Sequence, residues 1–417
     1  MRSLLLALGL LLAGASCPVA STLSQTDGDQ HPLHDGDATG QAVSVALFSS
    51  LERLSRLVDI SYCVGNTGVS PPFSCVSRCK EFPAMELVTT WNTGMLMSDS
   101  CGYIAVDHGD RKINSTTGGL TTTGNKDDGA IVVAFRGTYS ITNTVIDLST
   151  VPQEYVPYPE PDDGDEEGDN TYPDPEKRER CTNCTVHMGF LKSWRNARSL
   201  VLPALKKARA EHPSYPIQLV GHSLGGAVAA LAALEFKVAL GWDDIKITTF
   251  GEPRVGNQGL VDFIDRVFGM EKDEGFDKDL EKRIYQRVTH ANDPVPLLPL
   301  TEWGYRAHAG EIYITKEPLS PSPEDLRMCR GDNDPSCIAG ADSTVNQEEL
   351  VEIVKEAETM EDSRLEARWE FPARYKLWQL FFAHRDYFWR LGLCVPGGDP
   401  WDWGREKYNY TSGSDEL

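Results

Sequence analysis

The stretch PIQLVGHSLGGAVAALAALEF, Pro216 to Phe236, restricts the possible folds more than any other part of the chain. Ile217 to Val220 have the unbroken apolar character of a strand buried on both faces, and Ala227 to Phe236 the Ala/Leu content of a helix. Gly221, Ser223 and Gly225 therefore fall on the turn between strand and helix. A serine on such a sharp turn takes up strained backbone and projects its Oγ clear of its neighbours. The flanking glycines let the turn pack closely, and the helix N-terminus points its free N–H groups at any anion that forms there. The G-x-S-x-G pattern also occurs by chance in structural turns. Ser223 is a candidate nucleophile only if the rest of the chain supplies a base and an acid.

Several classes of function fall away on composition. The chain of 417 residues is 40% hydrophobic, enough to bury a large core. Its formal charge of −22 argues against nucleic acid and against electrostatic binding to anionic membranes. The opening MRSLLLALGLLLAGASCPVA has a base, a short apolar run and small residues, which reads as a secretory signal over residues 1–20. No later stretch is long and apolar enough to span a bilayer, so no transmembrane anchor is expected. The ten cysteines suit an oxidising compartment, and the short pairs Cys75/Cys79 and Cys181/Cys184 lack a zinc-finger arrangement. Sequons at Asn114, Asn183 and Asn409 offer sites for glycans.

Along the chain, residues 21–40 are polar and Ala42 to Ile60 show helical spacing of apolar residues. Strand signals follow in CGYIAVDHG and AIVVAFRG, and Ile141, Val145 and Leu148 then recur at helical intervals. Residues 159–180 carry ten acids and three bases among Pro and Gly, which reads as a solvated loop. Its spacing does not fit an EF-hand calcium loop. TVHMGFLKSWRNARSLVLPALKKARAEHP reads as a long helix, and IKITTFGEPRVGN and RIYQRVTHANDPVP as strands running into loops. Strands alternating with helices in this order predict an α/β fold with a mostly parallel central sheet and helices on both faces. An insertion at 338–380 has one apolar helical face, Leu350, Ile353, Val354, Ala357 and Met360, on an acidic background.

In the hydrolase fold with this turn, the catalytic triad follows the chain order Ser, Asp or Glu, His. Of nine histidines, only His290, His308 and His384 come after Ser223. Asp293 is a good acid candidate, because it follows a strand end and Pro294 and Pro296 fix its loop. With Asp293 as the acid, His308 in YRAHAGEIYI and His384 in FFAHRDYFW both remain as bases.

The blocks VVAFRGT, VHMGF, VGHSLGGA, FGEPRVGN, DPVPLLP, HAGEIYI and HRDYF, in this order, resemble the class 3 (Mucor-type fungal) triacylglycerol lipases, related to feruloyl esterases. The resemblance runs from about Ala42 to Cys394. It implies an α/β-hydrolase domain over 41–396, with 397–417 as a C-terminal tail. It implies Ser223 as nucleophile, Asp293 as acid and His384 as base, and it places His308 in a non-catalytic block. Thr138 and the backbone N–H of Leu224 match the oxyanion-hole positions. His187 and His222 match positions that look structural, and the FGEPRVGN loop looks like one that supports the site without reacting. The resemblance also pairs Cys63 with Cys394, Cys75 with Cys79 and Cys329 with Cys337. Cys181 and Cys184 look like the short bridge of the feruloyl esterases, and Cys101 is left over.

The segment after Thr138 is the lid in this family, and here Ile141, Val145, Ile146 and Leu148 would form its apolar face. That face predicts a secretory-pathway triacylglycerol lipase acting on acylglycerols at an oil–water interface, with a feruloyl esterase or a mono- and diacylglycerol lipase of the same family as the alternative. Such chemistry needs no metal or organic cofactor. A binding module that had kept the fold without activity would lack a triad member or an oxyanion donor, and none is missing. Secretion is the expected destination. The terminal SDEL, close to the ER-retrieval tetrapeptides, offers the ER lumen as the alternative.

Overall fold

Strands form where the sequence runs apolar without interruption. The computed structural model describes residues 43–94, 99–109, 112–113, 120–121, 129–138, 152–155, 181–270, 280–339 and 382–405. An eight-stranded sheet runs through them. In spatial order its strands are β1 (Met85–Asn92), β2 (Cys101–Asp107), β3 (Ala130–Phe135), β4 (Ile217–His222), β5 (Ile245–Phe250), β6 (Tyr285–His290), β7 (Glu311–Ile314) and β8 (Leu326–Met328). β3 to β7 pair in parallel, while β1, β2 and β8 join antiparallel at the edges. The chain is an α/β-hydrolase in architecture, with a mostly parallel sheet between helices.

The period of two along each strand sends alternate side chains to opposite faces. Ile131, Val133, Phe135, Ile217, Leu219 and Ile247 pack on one face against α2 (Met188–Glu211), α3 (Leu224–Leu234) and α4 (Gln258–Val267). Val132, Ala134, Val220, Phe250 and Val288 pack on the other against α1 (Val45–Ile60). The continuous apolar runs of β3 and β4 follow from this double burial, since neither face meets water. α1 begins at Ser44, whose side chain accepts the Leu47 N–H at 3.1 Å. Every residue of α3 is buried, which explains why its sequence has no polar stripe.

Two readings shift. The long helix begins at Met188, and Thr185–His187 instead form a short strand paired with Pro152–Glu154 and Gly256. The helix after Ser223 keeps α geometry only to Leu234 and closes as a π turn over Glu235–Ala239. Disulfides join Cys63 to Cys394, Cys75 to Cys79, Cys181 to Cys184 and Cys329 to Cys337, and Cys101 is a buried free thiol. Among the described residues, no helix is long and apolar enough to cross a membrane. The lid segment, the acidic loop 159–180, residues 340–380 of the insertion, Asn114, Asn409 and the leader all lie outside the described residues.

Candidate active site

β4 ends at His222 and α3 starts at Leu224, so Ser223 alone makes the turn. Its backbone is at φ 58 and ψ −132, a region that costs an L residue about 1–3 kcal/mol. The surroundings hold it there. The Ser223 N–H donates to the Phe250 carbonyl at 2.9 Å, and its own carbonyl accepts the Gly226 N–H at 2.8 Å. A Cβ at Gly221 would stand 2.2 Å from the Gly225 carbonyl oxygen, and one at Gly225 would stand 2.4 Å from that of Phe135. Gly221 therefore lets the helix start close on the end of β4, and Gly225 lets it close against β3. Thr138 is half-buried one residue after Gly137, where an added Cβ would lie 2.8 Å from the Ser223 Cβ. Leu224, buried, opens the helix on the other side.

β6 delivers Asp293 just past its end, where the carboxylate is fully enclosed. The Nδ1–H of His384 lies 3.0 Å from each Asp293 oxygen. The Val295 N–H donates to Oδ1 at 2.9 Å, and the Tyr387 hydroxyl donates to Oδ2. Burial works to raise the Asp293 pKa, but His384, Tyr387 and the Val295 N–H outweigh it and leave the carboxyl below its ordinary value. Asp293 is thus held as an anion against the imidazole. With Nδ1 committed to the carboxylate, Nε2 of His384 is buried and has no hydrogen-bond partner among the described residues. An imidazole fixed by an anion at one nitrogen and open at the other is equipped to take up a proton. The other candidate base, His308, lies elsewhere, with Nε2 3.0 Å from Glu252 and Nδ1 2.7 Å from the Ala309 carbonyl.

His222, next to the nucleophile candidate, reaches further than a packing residue would. Its Nε2–H donates to the His384 carbonyl at 2.8 Å, because a carbonyl can only accept. Nδ1 then accepts from the Tyr62 hydroxyl at 2.6 Å. Burial first, and the nearby His384 second, push the His222 pKa down to about 3, so its ring stays neutral. The two imidazoles lie 4.6 Å apart and tilted by 30°. A neutral His222 beside His384 avoids a second cation where an imidazolium would form. Tyr62→Phe is expected to lower kcat about tenfold with little change in KM, because it leaves the buried Nδ1 of His222 without its donor and removes one of the two bonds that hold the ring beside His384, while leaving the substrate contacts in place. Steady-state kinetics on a dissolved ester would check this, and an unchanged kcat would remove Tyr62 from the site.

Tyr62, Tyr387 and the hydrogen bonds that His222 makes to Tyr62 and His384 escaped the sequence. Asn183 is exposed and turns at φ 57 between the bonded Cys181 and Cys184, with its carbonyl accepting from Asn257 Nδ2 at 2.8 Å. Among the described residues, the one grouping with metal-ligand proximity is Glu311, Cys329 and Cys337, whose two sulfurs are already joined to each other.

The family model for class 3 lipases matches residues 132–303, from β3 through the DPVPLLP loop. Over 406 residues the chain is 57% identical to the secreted mono- and diacylglycerol lipase 2 of Gibberella zeae, covering 97% of this chain and 95% of that one. The chain belongs to the class 3 lipase family. The lipase is also 59% identical to lipase A of Sodiomyces alcalophilus over 387 residues, covering 90% of this chain and 89% of the relative. The crystal structure of a lipase from Yarrowia lipolytica matches it with a TM-score of 0.61 at 26% identity, over 85% of this chain and 97% of that one. Against these relatives, the lipase is a serine ester hydrolase on the α/β-hydrolase fold.

Proposed function

We propose that this lipase hydrolyses acylglycerols through Ser223, His384 and Asp293, with mono- and diacylglycerols as its preferred substrates. The observation that carries the reading is His384, clamped by Asp293 at Nδ1 and without a partner at Nε2 among the described residues, in the wall that adjoins the Ser223 turn. His384 takes the Ser223 proton as Oγ attacks the ester carbonyl, and Asp293 stabilises the imidazolium. The Leu224 N–H and Thr138 hold the oxyanion, each worth about 3 kcal/mol by comparison with known donors. The imidazolium returns the proton to the leaving glycerol oxygen. Water, deprotonated by His384, then attacks the acyl-enzyme and frees the fatty acid and Ser223.

The preference for partial glycerides rests on the relative from Gibberella zeae, named a mono- and diacylglycerol lipase. Ile141, Val145, Ile146 and Leu148 serve as the apolar face of the lid, and the glycans sit at Asn114, Asn183 and Asn409. Secretion follows the same relative, with retrieval through SDEL as the alternative destination. The test is hydrolysis of dioctanoylglycerol and trioctanoylglycerol across their solubility limits, beside methyl ferulate. A rate that jumps above saturation and favours the diacylglycerol at least fivefold is expected. Equal rates on both glycerides would sink the partial-glyceride preference, and ferulate turnover without a jump would move the enzyme to the esterase branch.

A further inference from the structure

We propose that the loop carrying Trp401 and Trp403 is the surface by which the enzyme settles on a neutral acylglycerol–water interface. The inference rests on the reading above that the substrate is met at such an interface. In the run DPWDWG the usual partition of side chains is inverted. Trp401 is 73% exposed and Trp403 61%, the two most exposed large hydrophobic side chains among the described residues, and Leu393 nearby in sequence is 37% exposed. Asp399 and Asp402, between and before them, are buried. Asp399 accepts from Arg385 Nη2 at 2.8 Å and from the Trp401 N–H at 3.0 Å. Asp402 accepts from Arg78 Nη2 at 2.6 Å, from Arg405 Nη1 at 2.8 Å and from the Arg390 N–H at 3.1 Å. The loop turns its charges inward onto arginines and holds its indoles out to solvent on a fixed frame.

Charge and area say what meets those indoles. Residues 382–405 contain three arginines and three aspartates, a net charge of zero in a chain of −22. All six are paired, as Arg385–Asp399, Arg390–Asp386 and Arg405–Asp402. Released fatty acid makes an oil surface anionic, so a strongly acidic protein approaches it at least cost through a neutral face. A second copy of the chain fits less well. Two indoles offer on the order of 300–500 Å², against about 800 Å² per partner in a stable complex. A lipid surface sets no such threshold, and Trp favours the boundary where an apolar ring meets water.

The loop also shares its frame with the reacting groups. The Arg390 guanidinium lies 4.4 Å from the Phe382 ring centroid and 5.5 Å from that of Trp401, and Phe382 is two residues before His384. Cys394 is bonded to Cys63, the neighbour of Tyr62. Docking the indoles therefore fixes the His384 segment relative to the interface.

The test compares wild type with Trp401→Ala/Trp403→Ala, as the full chain. The readouts are adsorption to a phosphatidylcholine-stabilised diolein emulsion, hydrolysis of that emulsion and hydrolysis of a dissolved p-nitrophenyl ester. Adsorption and emulsion rate are expected to fall at least tenfold while the rate on the dissolved ester stays within twofold. Unchanged adsorption overturns the proposal, and so does a wild-type dimer that the double variant turns into a monomer without loss of adsorption. Should the double variant lose the dissolved-ester rate as well, the single Trp401→Ser decides, with a threefold or greater loss of adsorption expected and no loss overturning the proposal. Adsorption requires no turnover, so a wild type inert on every ester would sink the hydrolase reading while leaving this comparison legible.

Discussion

Ser223→Gly is expected to abolish ester hydrolysis while making the folded chain more stable. The two effects come from one residue doing two incompatible things. As the proposed nucleophile, Ser223 supplies the Oγ that attacks the ester, and its loss is expected to lower kcat by about 10⁴- to 10⁶-fold. As a backbone position, it sits at φ 58 and ψ −132, where glycine is at ease and any L side chain is strained. Glycine should recover about 1 kcal/mol of that strain, read as a higher denaturant midpoint with an unchanged slope. Ser223→Ala is the control, because it loses Oγ but keeps the Cβ. It should be as inactive as the glycine variant without the gain in stability. Residual activity within a hundredfold of wild type would mean that the nucleophile lies elsewhere. Equal midpoints for the two variants would mean that the turn stores no strain that glycine can release.

The elements of that turn were legible because each depends on neighbours in sequence. An apolar run with no alternation, a serine between glycines and an Ala/Leu helix determine one another within some twenty residues. Asp293 was legible for a similar reason, since a strand end and two prolines mark it. His384 and His308 could not be separated by local pattern, and the lipase-family blocks decided between them. The structure brings His384 to Asp293 across 91 positions of sequence. Distance in sequence is also why Tyr62 was missed. It is 160 residues from His222, and nothing around ISYC distinguishes a hydroxyl that bonds an imidazole from an ordinary core tyrosine. Tyr387 was close enough to His384 to notice, but HRDYF gives no sign that its hydroxyl turns to Asp293. The edge strands β1 and β8 escaped for a different reason. β8 is three residues long and β1 alternates poorly across a bulge between Leu87 and Thr89, so neither carries a period to read.

Asp293→Asn separates what the carboxylate does for the reaction from what it does for the fold. The amide keeps the shape of the side chain but presents no anion, and its NH₂ can be turned towards the Nδ1–H of His384 only at the cost of a donor facing a donor. The ring is then free to adopt the tautomer with its proton on Nε2, which the proposed role as base requires to be empty. A fall of about 10⁴-fold in kcat with KM nearly unchanged is expected. Stability should respond to pH in a defined direction. Asp293 has a folded-state pKa below its ordinary value, despite burial that works to raise it, because His384, Tyr387 and the Val295 N–H favour the anion. A carboxyl shifted down in this way stabilises the folded state at pH above its unfolded value, and that contribution is lost as pH falls through the folded one. The wild type should therefore be the more stable protein at pH 7, and the two should converge below about pH 4. His222, depressed to about 3, also costs the folded state stability in acid; burial sets most of that cost in both proteins, while loss of the Asp293 anion, which holds the His222 pKa up, adds to it in the variant. Urea melts of the pair at pH 7 and pH 3 measure the convergence. A gap that widened in acid would mean that Asp293 is protonated in the native protein, and an imidazole clamped by a neutral acid would no longer account for the site.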